Sequence, residues 1–225
     1  MKTIDKSCDP NGVSQLDITI KQGTVTIYKS NNGLIQLSGS ITGNSSKGVE
    51  IKKATNVVYI KQKIGLGFPF KIGFTKIFIG IPSHFDGNLS IAHYGGGKLI
   101  LKDISVKSLA IKSLVAKLLI DDIVFEDILL KSGTSGSKID LKRECGNISV
   151  NSTVGKVNFN MDKIGGNLEF NGGVSGGSLI IPSDAPVKII NRGNKKDSDR
   201  SSSKDVYNFI LKPGVGKIKI REKIV

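Results

Sequence analysis

Few side chains in this chain have the types and spacing that reaction chemistry demands. The only histidines, His84 and His93, stand on either side of one short strand-like segment, with Asp86 close by. A metal site needs several ligands converging with a fixed geometry. Two histidines on successive units of about ten residues fall on opposite faces of a stacked fold, so both read as surface or turn histidines. Asp121-Asp122 and Glu126-Asp127 form an acidic cluster. Paired carboxylates serve glycoside hydrolysis or Ca²⁺ binding. A hydrolase on such a scaffold also needs a broad groove built by long loops, and the turns here are short, so the carboxylates read as solubilising groups on a Lys-rich face. Gly95-Gly96-Gly97-Lys98 lacks the spacing and the Ser/Thr of a phosphate loop. It precedes a strand, not a helix N-terminus, and reads as a turn. Cys8 and Cys145 have no His partner in sequence and suggest no nucleophile. Two cysteines do not make a disulfide framework. One bridge requires the N-terminus to fold back on the middle of the chain, and two free thiols are the simpler reading. No residue is assigned to catalysis, to a cofactor or to a metal, and no cofactor is expected.

The charge is more telling. There are 33 basic and 19 acidic residues, a net charge of +14. Such a field attracts polyanions: nucleic acid, anionic wall polymers or lipid headgroups. The lysines are spread along the whole chain and alternate with apolar residues, as in Lys217-Ile218-Lys219-Ile220. Alternation puts them on the outer face of a sheet, where they also protect edges. Tyr28, Tyr59, Tyr94 and Tyr207 are scattered, and neither a stacking platform nor a recognition helix is evident, so a sequence-specific nucleic acid is not an expected partner. Met1 to Lys6 lacks an apolar core and carries Asp5, and no apolar run approaches the ~20 residues that span a bilayer. A chain complete as it stands is then cytoplasmic, and one that has lost a leader or anchor belongs to the cell envelope or surface.

The elements that must carry these residues are announced by a recurring phrase. A Gly is followed by a small or polar residue and then by two apolar residues separated by one. It reads GNLSI at Gly87, GKLIL at Gly97, GNISV at Gly146, GKVNF at Gly155, GNLEF at Gly166, GSLII at Gly177 and GKIKI at Gly216, with GTVTI at Gly23 as a forerunner. A Gly opening an apolar-x-apolar pair is a turn followed by a half-buried strand. From Leu89 the pairs run Leu89/Ile91, Leu99/Leu101, Leu109/Ile111, Leu118/Ile120, Ile128/Leu130, Ile139/Leu141, Ile148/Val150, Val157/Phe159, Leu168/Phe170 and Leu179/Ile181. This spacing predicts a parallel β-solenoid of short strands, about ten residues per face and roughly five coils, about 24 Å long at ~4.8 Å per strand.

Asp103 to Lys131 has no Gly or Pro and tests this reading. Leu99/Leu101/Ile104, Leu109/Ile111/Leu114 and Leu118/Ile120/Ile123 share one pattern, and its +2 step suits a strand face but not a helix face. The solenoid is therefore expected to continue through this stretch. Residues 1–82 read as less regular strands and a cap region, continuous with a repeat region over 83–225, in one structural unit. Gly65 to Phe74, rich in Gly and Phe, is expected to cap the stack. Asn191 to Asp205 has no apolar residue and reads as a mobile loop.

At this point the chain resembles the bacterial putative-adhesin family of unknown function, whose fold is a right-handed β-solenoid. The resemblance runs from about residue 15 to the end. It rests on the Ile79-Gly80-Ile81-Pro82 strand end, on the Gly-led ladder from Gly87 to Ile181, and on the closing Leu179-Ile180-Ile181-Pro182. The family's Ser-Gly-Asp turn appears only loosely, at Ser135-Gly136-Ser137 and Glu144-Cys145-Gly146-Asn147, and the Gly-free middle departs from it. The family offers no catalytic residues to carry over.

The expectation is a non-enzymatic, adhesin-like binding or scaffold module for an anionic glycan or cell-wall polymer. The alternative is a cytoplasmic regulatory or assembly protein that docks a protein partner through sheet edges or a coil end. A carbohydrate-active enzyme ranks third.

Overall fold

A computed structural model describes residues 1–42, 46–64, 75–192 and 207–224. Its strands are β1 (Lys2–Cys8), β2 (Gln15–Ile20), β3 (Gly23–Ser30), β4 (Ile35–Ile41), β5 (Ser46–Ala54) and β6 (Val57–Ile64). Next come β7 (Thr75–Pro82), β8 (Asn88–His93), β9 (Gly97–Lys102), β10 (Ser108–Ser113), β11 (Lys117–Asp121) and β12 (Asp127–Ser132). The last are β13 (Ser137–Leu141), β14 (Asn147–Met161), β15 (Leu168–Pro182), β16 (Val187–Asn191), β17 (Tyr207–Lys212) and β18 (Ile218–Lys223). The fold is all-β among the described residues, and the 18 strands form one mostly parallel sheet around a single core.

Two ladders make up this sheet. The first runs β6, β2, β8, β10, β12, the start of β14, the start of β15, β17 and β16, all parallel. The second runs β7, β3, β9, β11, β13, the end of β14, the end of β15 and β18, also parallel. Antiparallel strands close the N-terminal end: β5 pairs with β6, β4 with β7, and β1 with β4. The rungs are not stacked in chain order. β2 and β3 lie between the β6/β7 rung and the β8/β9 rung, although β6 and β7 precede β8 in the chain. At the other end β17 lies between β15 and β16.

In-register parallel pairing makes like positions stack in columns. Leu16, Leu89, Leu109, Ile128, Ile148, Leu168 and Phe209 form one inward column of the first ladder. Ile18, Ile91, Ile111, Leu130, Val150, Phe170 and Leu211 form the next. All the paired residues expected from Leu89 to Ile181 are buried.

The second ladder departs from the expected repeat at two rungs, β13 and the end of β15, where Val157 stacks on Gly177 and Phe159 on Leu179. Leu118 stacks on Ser137, not on Ile139, and Ser137 stacks on Val157. The Ile139/Leu141 pair is therefore displaced by two residues, and buried Ser137 takes the place of an apolar side chain. Strands are also longer than the short strands expected from one apolar pair each. They span five or six through the middle, while β14 and β15 run 15 residues each across both ladders. Leu114 is a further departure, being 39% exposed, whereas Ile104 and Ile123 at the same pattern position are buried. Ile104 and Ile123 follow second-ladder strands, where the chain turns inward beside buried Val106 and Phe125. Leu114 follows a first-ladder strand, at the other corner, beside Val115, which is also exposed. The expected cap at Gly65 to Phe74 lies outside the described residues, as does 193–205 of the loop expected from Asn191 to Asp205. Asn191 itself is not in a loop but ends β16 and is buried, because alternation carries it inward.

Candidate binding surface

The same register that stacks the core also stacks the outward side chains. On the second ladder one exposed column reads Lys76, Thr24, Lys98, Lys117, Gly136, Lys156, Gly176 and Lys217. Its five lysines are exposed. At ~4.8 Å per strand, those two rungs apart are separated by about 9.5 Å along the stack. The seven rungs from β3 to β18 present nine basic residues outward: Lys98, Lys102, Lys117, Lys138, Lys156, Lys217, Lys219, Arg221 and Lys223. They present two acidic ones, Asp121 and Asp140. Both acids are already engaged, Asp140 by Lys138 and Asp121 by Lys142 at 3.2 Å. These contacts raise the pKa of both lysines, chiefly through the hydrogen bond to the carboxylate. Lys98, Lys117, Lys156 and Lys217 form no ion pair among the described residues.

The first ladder has a different outer face. Its matching seven rungs carry Lys112, Lys131 and Lys212 against Asp17, Asp127 and Glu169. The rest is mostly small and amide side chains. They bond to one another down the stack: Ser108 Oγ donates to Asn88 Oδ1 at 2.7 Å, Asn147 Nδ2 to Asp127 Oδ1 at 3.0 Å, and Asn167 Nδ2 to Asn147 Oδ1 at 3.1 Å.

A groove of about 590 Å³ lies where the two ladders meet, at the C-terminal end of the stack. One wall is Val154, Val174 and Val215, which are 40%, 57% and 78% exposed. Val154 and Val174 are register partners, and Val215 N–H donates to Gly173 O at 2.8 Å, so the three follow one corner of the stack. The other side carries Lys156, Lys217 and Lys219, with Asn158 and Ser178 on the same face. The glycines between them are structural. A Cβ on Gly176 would lie 2.6 Å from Lys217 O, and one on Gly177 would lie 1.8 Å from Val157 O.

The residues singled out in the sequence do not converge. His84 is exposed in the turn after β7. His93 is fully buried, against the expectation of a surface or turn position. It ends β8 on the inward side, in register with Ile20 and Ser113. Its Nε2 sits 2.9 Å from Gly23 O, and its Nδ1 has no hydrogen-bond partner among the described residues. Burial lowers its pKa, because a charged ring there would lose its hydration. The acidic cluster is divided between separate partners. Asp122 Oδ1 accepts from Arg143 Nε at 3.1 Å, Arg143 also reaches Asp103 at 3.0 Å, and Asp127 holds Asn147. Glu126 is exposed. Gly97 of the Gly-Gly-Gly-Lys turn has φ 127°, and a Cβ there would lie 2.1 Å from Gly23 O, so close stacking of two turns accounts for that glycine. Cys8 and Cys145 are unpaired. Burial raises the Cys145 thiol to about 11, and it donates to Ile123 O at 3.0 Å. Among the described residues no three His, Cys, Asp or Glu side chains gather as metal ligands. Among the described residues no helix is long and apolar enough to cross a membrane.

The lysine column was not read from the sequence. Lys98 and Lys117 are 19 residues apart, a signal visible once the register is known. Lys76 and Lys217 join the column only through rungs stacked out of chain order or after a long connection.

No family model and no curated protein matches the chain. Among solved structures with a similar fold is a putative cell adhesion protein from Clostridium sporogenes ATCC 15579, with TM-score 0.50, 16% identity and 99% of each chain covered. Another is a putative adhesin from Bacteroides fragilis NCTC 9343, with TM-score 0.52 and 16% identity, covering 98% of this chain and 97% of that one. At this identity the likeness concerns the fold. The resemblance to the bacterial putative-adhesin family read from the Gly-led repeats therefore holds for the fold along nearly the whole chain.

Proposed function

We propose that the protein is a non-enzymatic, adhesin-like binding module whose second ladder presents a basic face to a linear polyanion, an anionic glycan or wall polymer. The carrying observation is the exposed lysine column, set on a face with nine basic and two acidic side chains, beside a first ladder with three of each. A column repeated along a rigid stack suits an extended polymer better than a compact ligand. In this reading the scaffold is a two-sided, right-handed β-solenoid of about ten residues per face, the hand that parallel crossovers take almost without exception. Residues 1–82 and 83–225 act as one unit, because the β2/β3 rung is wedged between the β6/β7 and β8/β9 rungs. A hydrolytic role finds less support, since the carboxylates are tied to separate partners. Docking of a partner strand on β18 also finds less support, since Lys219 and Arg221 charge that edge.

The test is binding to heparin, purified teichoic acid and single-stranded DNA across a salt series. Weak binding that falls steeply with salt is expected, because each contact releases counterions. Failure to bind all three at low salt would sink the proposal.

A further inference from the structure

We propose, resting on the polyanion reading above, that the corner groove between Val174 and Lys156/Lys217 is a saccharide site. Its ligand is an acidic polysaccharide that carries a carboxylate on every second sugar and lies along the stack axis. Three observations carry this. First, the column alternates from Lys117 onward: Lys117, Gly136, Lys156, Gly176, Lys217. Charges therefore recur every two rungs, about 9.5 Å at the strand spacing of a sheet. One sugar of an extended polysaccharide advances by nearly one rung, so an anionic group on alternate sugars meets a lysine each time. Second, the glycine positions between the lysines carry no side chain to keep a ring from the backbone. Third, the groove opposes an exposed apolar wall of stacked valines to the lysines. A pyranose has the matching character: a C–H face for the valines, hydroxyls at its edge for Asn158 and Ser178, and a carboxylate for the ammonium groups.

Nucleic acid fits this groove less well, since none of its lining residues is aromatic and bases have nothing to stack on. Polyphosphate has no C–H face at all to set against the valines. The second half of the column, at the C-terminal end, is thus distinguished from the first by its wall: Lys98 and Lys117 do not line the groove.

The experiment measures binding of a hyaluronan octasaccharide, which bears one carboxylate per disaccharide, by calorimetry on the full chain. An oligogalacturonate and a single-stranded DNA of similar length serve as comparisons. The variants are Lys156→Ala/Lys217→Ala, Val174→Asp, and Lys98→Ala/Lys117→Ala, all at exposed positions, with thermal melts to verify folding. The octasaccharide is expected to bind more tightly than either comparison. Lys156→Ala/Lys217→Ala and Val174→Asp each weaken it on the order of ten-fold, while Lys98→Ala/Lys117→Ala weakens it about two-fold. Equal losses in the two lysine pairs together with an unaffected Val174→Asp would overturn the groove and leave the broader polyanion reading standing. Tighter binding of DNA than of either glycan would overturn the saccharide assignment. Absence of binding to every polyanion, heparin included, would remove the broader reading as well.

Discussion

The two outer faces of this molecule are built on one core and by one register, yet they present opposite surfaces. Over the same seven rungs the second ladder exposes a strongly basic field, and the first exposes a balanced one of amides, hydroxyls and equal numbers of opposite charges. The inward positions diverge far less. Leu, Ile, Val and Phe fill most of them on both sides, the polar exceptions including Ser137 in the second ladder and the column His93, Ser113, Ser132 and Ser152 at the strand ends of the first. In a parallel stack the inward residue must fit the one above and below it, which confines its chemistry. The outward residue answers only to water and to whatever binds. A charge bias restricted to one outward face is therefore informative in a way that the net charge of +14 is not.

The largest expected effect tests whether the core is in fact shared. Phe170 belongs to the first ladder and Phe159 to the second, and both are fully buried. Either residue replaced by Ala is expected to cost about 3–5 kcal/mol. Denaturant melts of the two variants should agree. A loss confined to Phe159→Ala would mean that the faces differ inside as well as outside.

Next in size is the difference between the surfaces themselves. Replacing Lys98, Lys117, Lys156 and Lys217 together by Ala is expected to reduce heparin binding by more than ten-fold at low salt and to lower the salt slope by about one per lysine that makes a contact. Replacing Lys112, Lys131 and Lys212 on the first ladder should leave binding nearly unchanged. Similar losses on both faces would reduce the comparison to net charge alone.

A smaller effect concerns the corner on which both faces hang. His93 is held neutral in the fold because burial opposes its charged form. Its pKa in the folded protein is depressed below the ordinary 6.5. Below about pH 6.5 the unfolded chain takes up a proton that the folded chain does not, so the stability held above that pH is lost as pH falls toward the depressed folded value. Melting temperatures recorded from about pH 8 down to about pH 5 should fall over this window, and His93→Gln should flatten that part of the profile. An unchanged slope in the variant would assign the loss to carboxylates instead.

The smallest effect is expected where the basic face neutralises itself. Lys142→Ala removes an exposed ion pair with Asp121. The melting temperature should not move outside error, since exposed pairs contribute little. A clear drop would show that the acids of this face brace the stack, not merely trim its charge.

The basic face of this protein was only partly legible in its residues. The Gly-led pairs announced the strands, and every paired residue from Leu89 to Ile181 is buried as its alternation implied. The histidines, the acidic cluster and the Gly-Gly-Gly-Lys turn read as surface and turn features, and the structure keeps them apart. His93 was nevertheless misplaced, because alternation continued one step beyond Ile91 sends it inward, and nothing local distinguishes a buried strand end from a turn. The displaced Ile139/Leu141 pair was hidden for a similar reason. Both Ser137 and Ile139 fall on the inward side of β13, so the two registers share one alternation.

Alternation of apolar and polar residues with a period of two, and the glycines that break it, are local properties. They specify strands, turns and inward sides from the sequence alone. The order of the rungs is not local. β2 and β3 are wedged between rungs from later in the chain, and β17 is inserted between β15 and β16. Which strand lies beside which depends on contacts between distant residues, whose gain must outweigh the entropy of closing the loops between them. The lysine column, the valine wall and the groove between them exist only as products of that order, and so the tertiary structure alone decided where this protein presents its charge.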